Sequence, residues 1–193
     1  MTRAIDIRVN RTKSLLKQSL IGLMQTTHGK NISVQQLTAS AKISRVTFYR
    51  HYQGMPDFLL QTIDDALQGL FLELDIYVFL RRERTVEYYT AIFDHVKDNS
   101  DLFTVMLGPN GLAEFRQRFT QMRRKYHKKM MDNYKSEFHS SAKDDILYAY
   151  FASVLIGLIE YWLSDEGSKY SSQEMAEQLF NIAHKQVLKR VEN

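Results

Sequence analysis

The sequence contains no cysteine, which excludes disulfide frameworks, thiolate zinc sites and cysteine nucleophiles and is compatible with a reducing cytoplasm. Only two prolines and eight glycines interrupt the 193 residues, so long helices can form where a β-rich fold would need more turn residues. The chain has no run of about 18 consecutive apolar residues and no long apolar run behind its first basic residues. We therefore expect a soluble, unprocessed, cytoplasmic protein that does not enter a membrane.

Motifs of catalytic and metal sites are also missing. None of the six histidines pairs as His-x-x-x-His or His-Glu-x-x-His, the spacings that place two ligands on one face of a helix. The adjacent acids Asp64–Asp65 and Asp144–Asp145 point to different sides of a helix and are typical of solvation and capping. We expect no catalytic residues, no cofactor and no metal site. A helical protein with measurable turnover and no affinity for nucleic acid would contradict this expectation.

Charge is distributed unevenly along the chain. Residues 1–53 contain nine Lys or Arg and one acid, a net of +8, whereas residues 54–193 contain 17 basic and 21 acidic residues, a net of −4. A basic segment of this kind suits a phosphate backbone, because binding releases the counterions condensed on the nucleic acid. The charge alone leaves a solvated basic surface open as the alternative.

Apolar periodicity and capping signals predict an all-α chain of about nine helices, with no convincing strand. The helices are predicted at about 8–27, 33–40, 45–51, 56–79, from 85, 101–107, 112–137, 144–163 and 172–189. Ser33 with Gln36, and Ser171 with Glu174, have the spacing of a capping box. The segment 108–111, Gly-Pro-Asn-Gly, is the strongest turn signal. The length allows one or two domains.

The third predicted helix has one apolar side and one polar side. Phe48 and Tyr52 are four residues apart and are expected to pack with Leu37 and Ile43 against the first helix. The outward residues are then Arg45, Val46, Thr47, Tyr49 and Arg50. In a major groove, arginine binds guanine, valine or threonine contacts a thymine methyl, and tyrosine donates to phosphate. The pattern therefore favours a DNA-reading helix.

Three short motifs strengthen that interpretation. They are Ser-Val-Gln-Gln-Leu at 33–37, Ile-Ser-Arg-Val-Thr-Phe-Tyr-Arg-His-Tyr at 43–52 and Asp-Phe-Leu-Leu at 57–60. Together they resemble the helix-turn-helix DNA-binding domain of TetR-family transcriptional regulators. The resemblance implies that Arg45, Val46 and Thr47 face bases or sugar-phosphate and that Tyr49 and His51 hold phosphates. Ser33 and Gln35 match positions that touch the backbone or the groove edge in that family. Taken with the outward side of the helix, the predicted DNA-binding residues are Ser33, Gln35, Ser44, Arg45, Val46, Thr47, Tyr49, Arg50 and His51.

Two positions depart from the family pattern. The turn position that is often glycine is Lys42, which must either accept a strained backbone or shift the turn. A frequent phosphate-binding lysine after the third helix is replaced by Met55. These departures leave open a second hypothesis, in which the chain is a TetR-like co-regulator or adaptor that acts mainly through another protein.

Residues 102–107, 111–115 and 150–163 are similar to the C-terminal region of a TetR subgroup that includes regulators of dihydroxyacetone kinase operons. The resemblance implies a DNA-binding domain at 1–53 and a helical effector-binding and dimerisation domain at 54–193. It predicts a repressor that a small-molecule effector of unknown identity releases from double-stranded operator DNA, by favouring a spacing of the two recognition helices that no longer fits the duplex.

The predicted helix 144–163 is apolar on more sides than one core-facing stripe requires, which favours a homodimer. A second helix could approach closely at Gly157. The predicted dimer residues are Leu155, Gly157, Leu158, Trp162, Met175, Leu179 and Phe180. The alternative is that all of them belong to the core of one chain.

Aromatic and methionine residues among the C-terminal helices could line an effector pocket, although such stripes are more often core. The predicted pocket residues are Tyr89, Phe93, Phe103, Met106, Phe119, Met122, Tyr150 and Trp162. The predicted helix 112–137 also carries a basic run, which is interpreted as a solvated face or, alternatively, as a contact for an acidic partner. That run is Arg116, Arg118, Arg123, Arg124, Lys125, Lys128 and Lys129.

Overall fold

A computed structural model describes residues 2–81, 85–134, 138–139, 143–182 and 189–190 of the chain. These residues form nine α-helices, which confirms the predicted all-α fold. The helices are α1 (Thr2–Met24), α2 (Val34–Ala41), α3 (Arg45–Tyr49), α4 (Met55–Arg81), α5 (Val86–Asp98), α6 (Ser100–Leu107), α7 (Ala113–Tyr134), α8 (Asp144–Trp162) and α9 (Ser172–Asn181). A 3₁₀ turn at Gly29–Asn31 connects α1 to α2.

The structure differs from the prediction at several helix ends and in one pair of short strands. Helix α1 begins at Thr2 rather than at residue 8, and α3 has only five residues. Two short strands that the sequence did not predict, β1 (Phe138–His139) and β2 (Lys189–Arg190), pair in antiparallel orientation. The last helix was therefore predicted too long, since Lys189 is in a strand. The predicted end of the seventh helix at residue 137 lies outside the described residues.

The chain divides into two compact units. The N-terminal unit comprises Met1–Asp65 and Asp101–Phe115, and the C-terminal unit comprises Ala66–Ser100 and Arg116–Asn193. The N-terminal unit is larger than residues 1–53, because α6 and the following turn belong to it. The functional boundary at residues 53 and 54 stays a prediction.

A turn after α6 is bonded to the end of α1 inside the N-terminal unit. The amide of Asn110 donates to Met24 O at 3.1 Å, and the N–H of Gly29 donates to Asn110 O at 3.0 Å. A side chain at Gly111 would collide with the Met106 carbonyl, so the tight turn requires glycine there. The predicted 108–111 turn thus also fixes α1 to the loop before α2.

Aromatic contacts form the core of the C-terminal unit. The ring of Phe93 meets Trp162 edge to face with centroids 5.2 Å apart, and Phe71 lies 6.0 Å from Phe119. Helix α9 begins with the predicted capping box, in which Ser171 Oγ accepts from the N–H of Glu174 and the Glu174 carboxylate accepts from the N–H of Ser171. The Glu174 carboxylate also accepts from the Ser171 hydroxyl at 2.8 Å, and the two hydrogen bonds that the carboxylate accepts hold the pKa of Glu174 below its usual value.

The prediction of a solvated basic face on α7 is wrong at one position. Arg116, Arg124, Lys125 and Lys128 are exposed, but Arg123 is only 2% exposed. Arg123 follows Phe119 by four residues and precedes Tyr126 by three, and both of these rings are buried. The arginine therefore occupies the core-facing stripe of α7, where an apolar residue is the usual occupant.

Candidate nucleic-acid interface

Side-chain caps fix the start of α2 and of α3. Ser33 Oγ accepts from the N–H of Gln36 at 3.2 Å, and Gln36 Oε1 accepts from the N–H of Ser33 at 2.9 Å, so the predicted capping box forms. Ser44 Oγ accepts from the N–H of Thr47 at 3.1 Å. These caps satisfy amides that a helix start leaves unpaired, which matters most for the five-residue α3.

The turn between α2 and α3 keeps its geometry without glycine. Lys42 adopts the left-handed conformation, with φ 55° and ψ 39°, and is the only non-glycine residue with positive φ among the described residues. Its N–H donates to Ala39 O at 3.2 Å, and the N–H of Ile43 donates to Thr38 O at 3.0 Å. Lys42 therefore accepts the strained backbone, and the turn is not shifted.

An aromatic cluster holds the inner side of α3. Phe48 is fully buried, and its ring lies 5.3 Å from Tyr52 and 5.9 Å from Phe58. Burial raises the pKa of Tyr52 to about 12, and the charges of Asp65 and Asp57 act in the same direction. Asp57 accepts from the N–H of Gln53 at 2.8 Å, which lowers its own pKa. The predicted inward positions Phe48 and Tyr52 are confirmed as core residues.

The opposite side of α3 is open to solvent. Val46 is 65% exposed and Tyr49 is 57% exposed, and Arg45 and Arg50 are exposed beside them. Thr47 and His51 are partly exposed, and Gln35 is exposed near the start of α2. The structure thus leaves all the predicted outward side chains of α3 exposed or partly exposed.

The two capping serines are less available than the resemblance implies. Ser33 Oγ donates its hydrogen to Gln36 Oε1 at 2.8 Å, and Ser44 Oγ lies 2.9 Å from Thr47 Oγ1. Both serines are exposed. A phosphate could therefore bind either hydroxyl only by competing with its cap.

Two lysines of the N-terminal unit are in ion pairs. Lys13 lies 3.6 Å from Asp65, and Lys30 lies 2.7 Å from Glu114, whose pKa is lowered by this partner. Within the described part of the chain, no ion pair is found for Arg45 or Arg50. The charges nearest the exposed face of α3 are therefore available to a polyanion.

The residues predicted for a dimer interface divide into two groups. Leu155, Trp162, Met175 and Leu179 are buried in the core of their own chain, so they have almost no surface to offer a partner. Gly157 is exposed, and Leu158 and Phe180 are partly exposed. Helix α8 instead exposes Ile146, Tyr150 and Tyr161, which were not predicted for the interface. Their spacing places them with Gly157 along one side of the helix, a helical period that could have been read from the sequence.

The residues predicted for an effector pocket belong to different compact units. Phe103 and Met106 are buried in the N-terminal unit, where Phe103 packs on Phe115 with centroids 5.4 Å apart. The residues in the C-terminal unit are Tyr89, Phe93, Phe119, Met122, Tyr150 and Trp162. Tyr150 is 40% exposed on α8.

A cleft of about 380 Å³ lies inside the N-terminal unit, and none of the predicted pocket residues lines it. Its apolar wall combines the start of α4 with a residue that follows the 108–111 turn. It is lined by Lys30, Met55, Pro56, Leu59, Leu60, Ile63, Leu112 and Glu114. The pair Lys30–Glu114 joins two of these lining residues.

The C-terminal unit contains buried polar atoms that the sequence pattern did not indicate. Within the described part of the chain, Arg123 Nε and Nη1 and the Tyr88 hydroxyl are shielded from solvent and make no hydrogen bond. Unpaired buried polar atoms are uncommon in folded proteins, and each one requires an explanation. The regular spacing of Arg123 with Phe119 and Tyr126 is the sequence signal that could have located it.

Two further properties of the described residues bear on the kind of site. No three His, Asp or Glu side chains among them are grouped as metal ligands. Helix α8 is long and apolar enough to cross a membrane by length and composition, criteria that the core helix of a soluble protein also meets.

Comparisons with known proteins agree with this geometry. Residues 83–185, more than half of the chain, match a TetR family model described as a transcriptional regulator C-terminal region. No curated protein is significantly similar to the sequence.

Solved structures share the fold along almost the whole chain. A TetR transcriptional regulator from Streptococcus agalactiae superposes with a TM-score of 0.67 at 21% identity, over 95% of this chain and 99% of that one. NalD from Pseudomonas aeruginosa, the secondary repressor of the MexAB-OprM multidrug efflux pump, gives 0.70 at 16% identity, over 94% and 98%. The dihydroxyacetone kinase operon activator DhaS gives 0.60 at 17% identity, over 91% and 96%.

Proposed function

The chain belongs to the TetR family of transcriptional regulators, and from this premise we propose that it is a cytoplasmic, sequence-specific repressor that a small organic effector releases from operator DNA. The observation that carries the proposal is the exposed face of α3. Arg45, Val46 and Tyr49 stand in solvent there, on a helix held in place by the buried Phe48.

Each exposed group on α3 has a role on a duplex. Arg45 is at the first turn, where recognition helices contact base edges, and its guanidinium can bind guanine through two hydrogen bonds. Val46 offers a methyl surface for thymine, and Tyr49 offers a hydroxyl for phosphate. The exposure of Val46 and Tyr49 to water does not stabilise the fold. The major groove of a bound duplex would cover both side chains.

TetR regulators bind operator DNA as dimers, and α8 offers a surface for a second copy. The stripe Ile146, Tyr150, Gly157 and Tyr161 is exposed, and none of the described residues comes within 4 Å of the space above Gly157. Two such helices could approach closely at the glycine and bury the aromatic residues on either side. A dimer would hold two α3 helices about 34–36 Å apart, the repeat of the major groove.

In this proposal the effector controls DNA binding through the spacing of the two α3 helices in the dimer. An effector that binds better to a dimer with a different spacing of the α3 helices shifts the population away from the DNA-binding state. Proteins of similar structure include both a repressor, NalD, and an activator, DhaS, so repression by this chain is part of our proposal.

The adaptor hypothesis has weaker support. Lys42 was one of two features that permitted it, but this residue preserves the turn in front of α3. Met55, the other feature, removes one expected phosphate contact, but the side chains of Arg45, Val46 and Tyr49 on α3 are still exposed.

Selection from random duplexes, followed by gel-shift titration at several salt concentrations, tests the proposal. We expect tight binding to a near-palindrome, with an affinity that falls linearly on a logarithmic salt scale. Arg45→Ala should cost about 1–3 kcal/mol and relax preference at one position of each half-site, while Tyr49→Ala should weaken all sequences alike.

The matched control is Arg124→Ala, which removes an exposed arginine from α7 and should leave operator affinity unchanged. If neither α3 variant alters binding, the proposed interface is wrong. If a palindrome is bound only after a second protein is added, the adaptor hypothesis replaces the repressor.

A further inference from the structure

Arg123 is the only charged residue that is buried among the described residues. Its Nε and Nη1 make no hydrogen bond within that part of the chain, and its guanidinium carbon lies over the Tyr126 ring, 5.9 Å from the centroid. Arginine stays charged at any physiological pH. Burial of a charge without an opposite partner is strongly unfavourable, and the described residues supply no anion at this position.

The surroundings of Arg123 indicate what kind of anion fits. Phe119 and Tyr126 flank it along α7, and the Phe71 ring lies 6.0 Å from the first and 5.9 Å from the second. A single cation balances one negative charge on a ligand. The aromatic rings around the cation favour a ligand whose remaining part is apolar. The planar guanidinium matches a carboxylate, to which it can donate two parallel hydrogen bonds.

We propose that Arg123 is the anchor of the effector site and that the effector is an organic monocarboxylate with an apolar, preferably aromatic, body. This inference rests on the proposed control by an effector and adds its chemical class. Occupancy of the site would neutralise the buried charge, so the ligand would gain most of its specificity from a guanidinium whose Nε and Nη1 have no hydrogen-bond partner among the described residues.

Thermal unfolding of the DNA-free protein tests the proposal with defined probes. Benzoate and hexanoate are compared with benzamide and hexanamide at equal concentration, and sodium chloride matches the ionic strength. We expect at least one carboxylate to raise Tm by about 2–4 °C and its amide to leave Tm unchanged. Arg123→Met should abolish this rise, and Arg123→Lys, which keeps the charge without the planar fork, should reduce it.

The control variant is Arg124→Met, which removes the neighbouring exposed arginine and should keep the full carboxylate response. Arg123→Met should also unfold at the same temperature as the unliganded wild type or higher, because it removes an uncompensated buried charge. A variant that unfolds several degrees earlier, or does not fold, would show that Arg123 has a structural partner and would overturn the proposal. Equal shifts by acid and amide, or no shift by either acid, would overturn it as well.

The outcome is independent of the gel-shift experiment, since no DNA is present. Stabilisation by a carboxylate in a protein that binds no operator would contradict the proposed function and keep the anion site. Operator binding without any carboxylate effect would contradict the anion site alone.

Discussion

Helices α3 and α8 both leave apolar side chains in solvent, but the charges beside those side chains differ. On α3, Val46 and Tyr49 stand between Arg45 and Arg50, and no acid is present in the helix. On α8, the exposed stripe from Ile146 to Tyr161 lies on a helix that has three acids and no base. Exposure alone therefore does not identify a partner, whereas exposure combined with charge does.

The comparison separates two kinds of recognition. A basic face with a few apolar groups suits a polyanion, whose affinity depends on salt. An apolar face with weak negative charge would be repelled by a polyanion and suits another apolar face. The same chain can then present one surface to DNA and another to its own copy.

The largest expected effect concerns the residue that holds α3 in place. Phe48→Ala should lower the free energy of unfolding by about 3–5 kcal/mol, because it empties a fully buried site among aromatic rings. Tyr49→Ala, one residue further on the exposed side, should change it by no more than about 0.5 kcal/mol. Urea unfolding measures both free-energy differences, provided that the dependence of the free energy of unfolding on urea concentration is the same in wild type and variants.

The Phe48 and Tyr49 variants test whether α3 has one buried side and one side presented to a partner. A five-residue helix has no independent stability, so its exposed groups are ordered only through its buried side. Similar losses in the two variants would mean that Tyr49 is part of the core and would remove α3 as a presented surface.

Most of the N-terminal site could be predicted because its signals are local. The capping serines, the alternation of Phe48 and Tyr52 with outward residues and the turn at 108–111 all depend on neighbours within a few positions. The structure agrees with each of them.

The C-terminal surfaces could not be assigned in the same way. Helix α8 is apolar on several sides, so periodicity alone does not say which side meets its own core, and Leu155 and Trp162 proved to be buried. Arg123 was grouped with the exposed bases because charge normally predicts solvent exposure. The spacing of Arg123 from Phe119 and Tyr126 is the one sequence signal against this interpretation, and the packing of α7 establishes that the arginine is buried.

The second largest effect tests the apolar side of the comparison. Gly157→Leu should weaken dimerisation by about 1–3 kcal/mol, because a large side chain would separate two closely packed helices. The variant should fold normally as a single chain, since the space above this glycine is empty. Sedimentation equilibrium over a range of protein concentrations measures the dissociation constant.

Gly22→Leu is the matched control, because Gly22 is also an exposed helical glycine with nothing within 4 Å. It lies on α1 and should leave the dimer intact. Equal dissociation constants for the two variants would place the contact between copies elsewhere and remove α8 from the comparison.

The smallest effect concerns the turn that orients α3. Lys42→Gly should raise the free energy of unfolding by up to about 1 kcal/mol, because glycine adopts the left-handed conformation without a steric penalty. Lys42→Ala removes the same charge but keeps the Cβ atom, so it should give no gain. Both variants should lose the same small amount of operator affinity at low salt, through the shared loss of one exposed base. If Lys42→Gly changes base preference while Lys42→Ala does not, the strained backbone at Lys42 itself sets the angle at which α3 meets the duplex. Recognition of DNA by α3 would then depend on the orientation of this helix as well as on the charge that distinguishes it from α8.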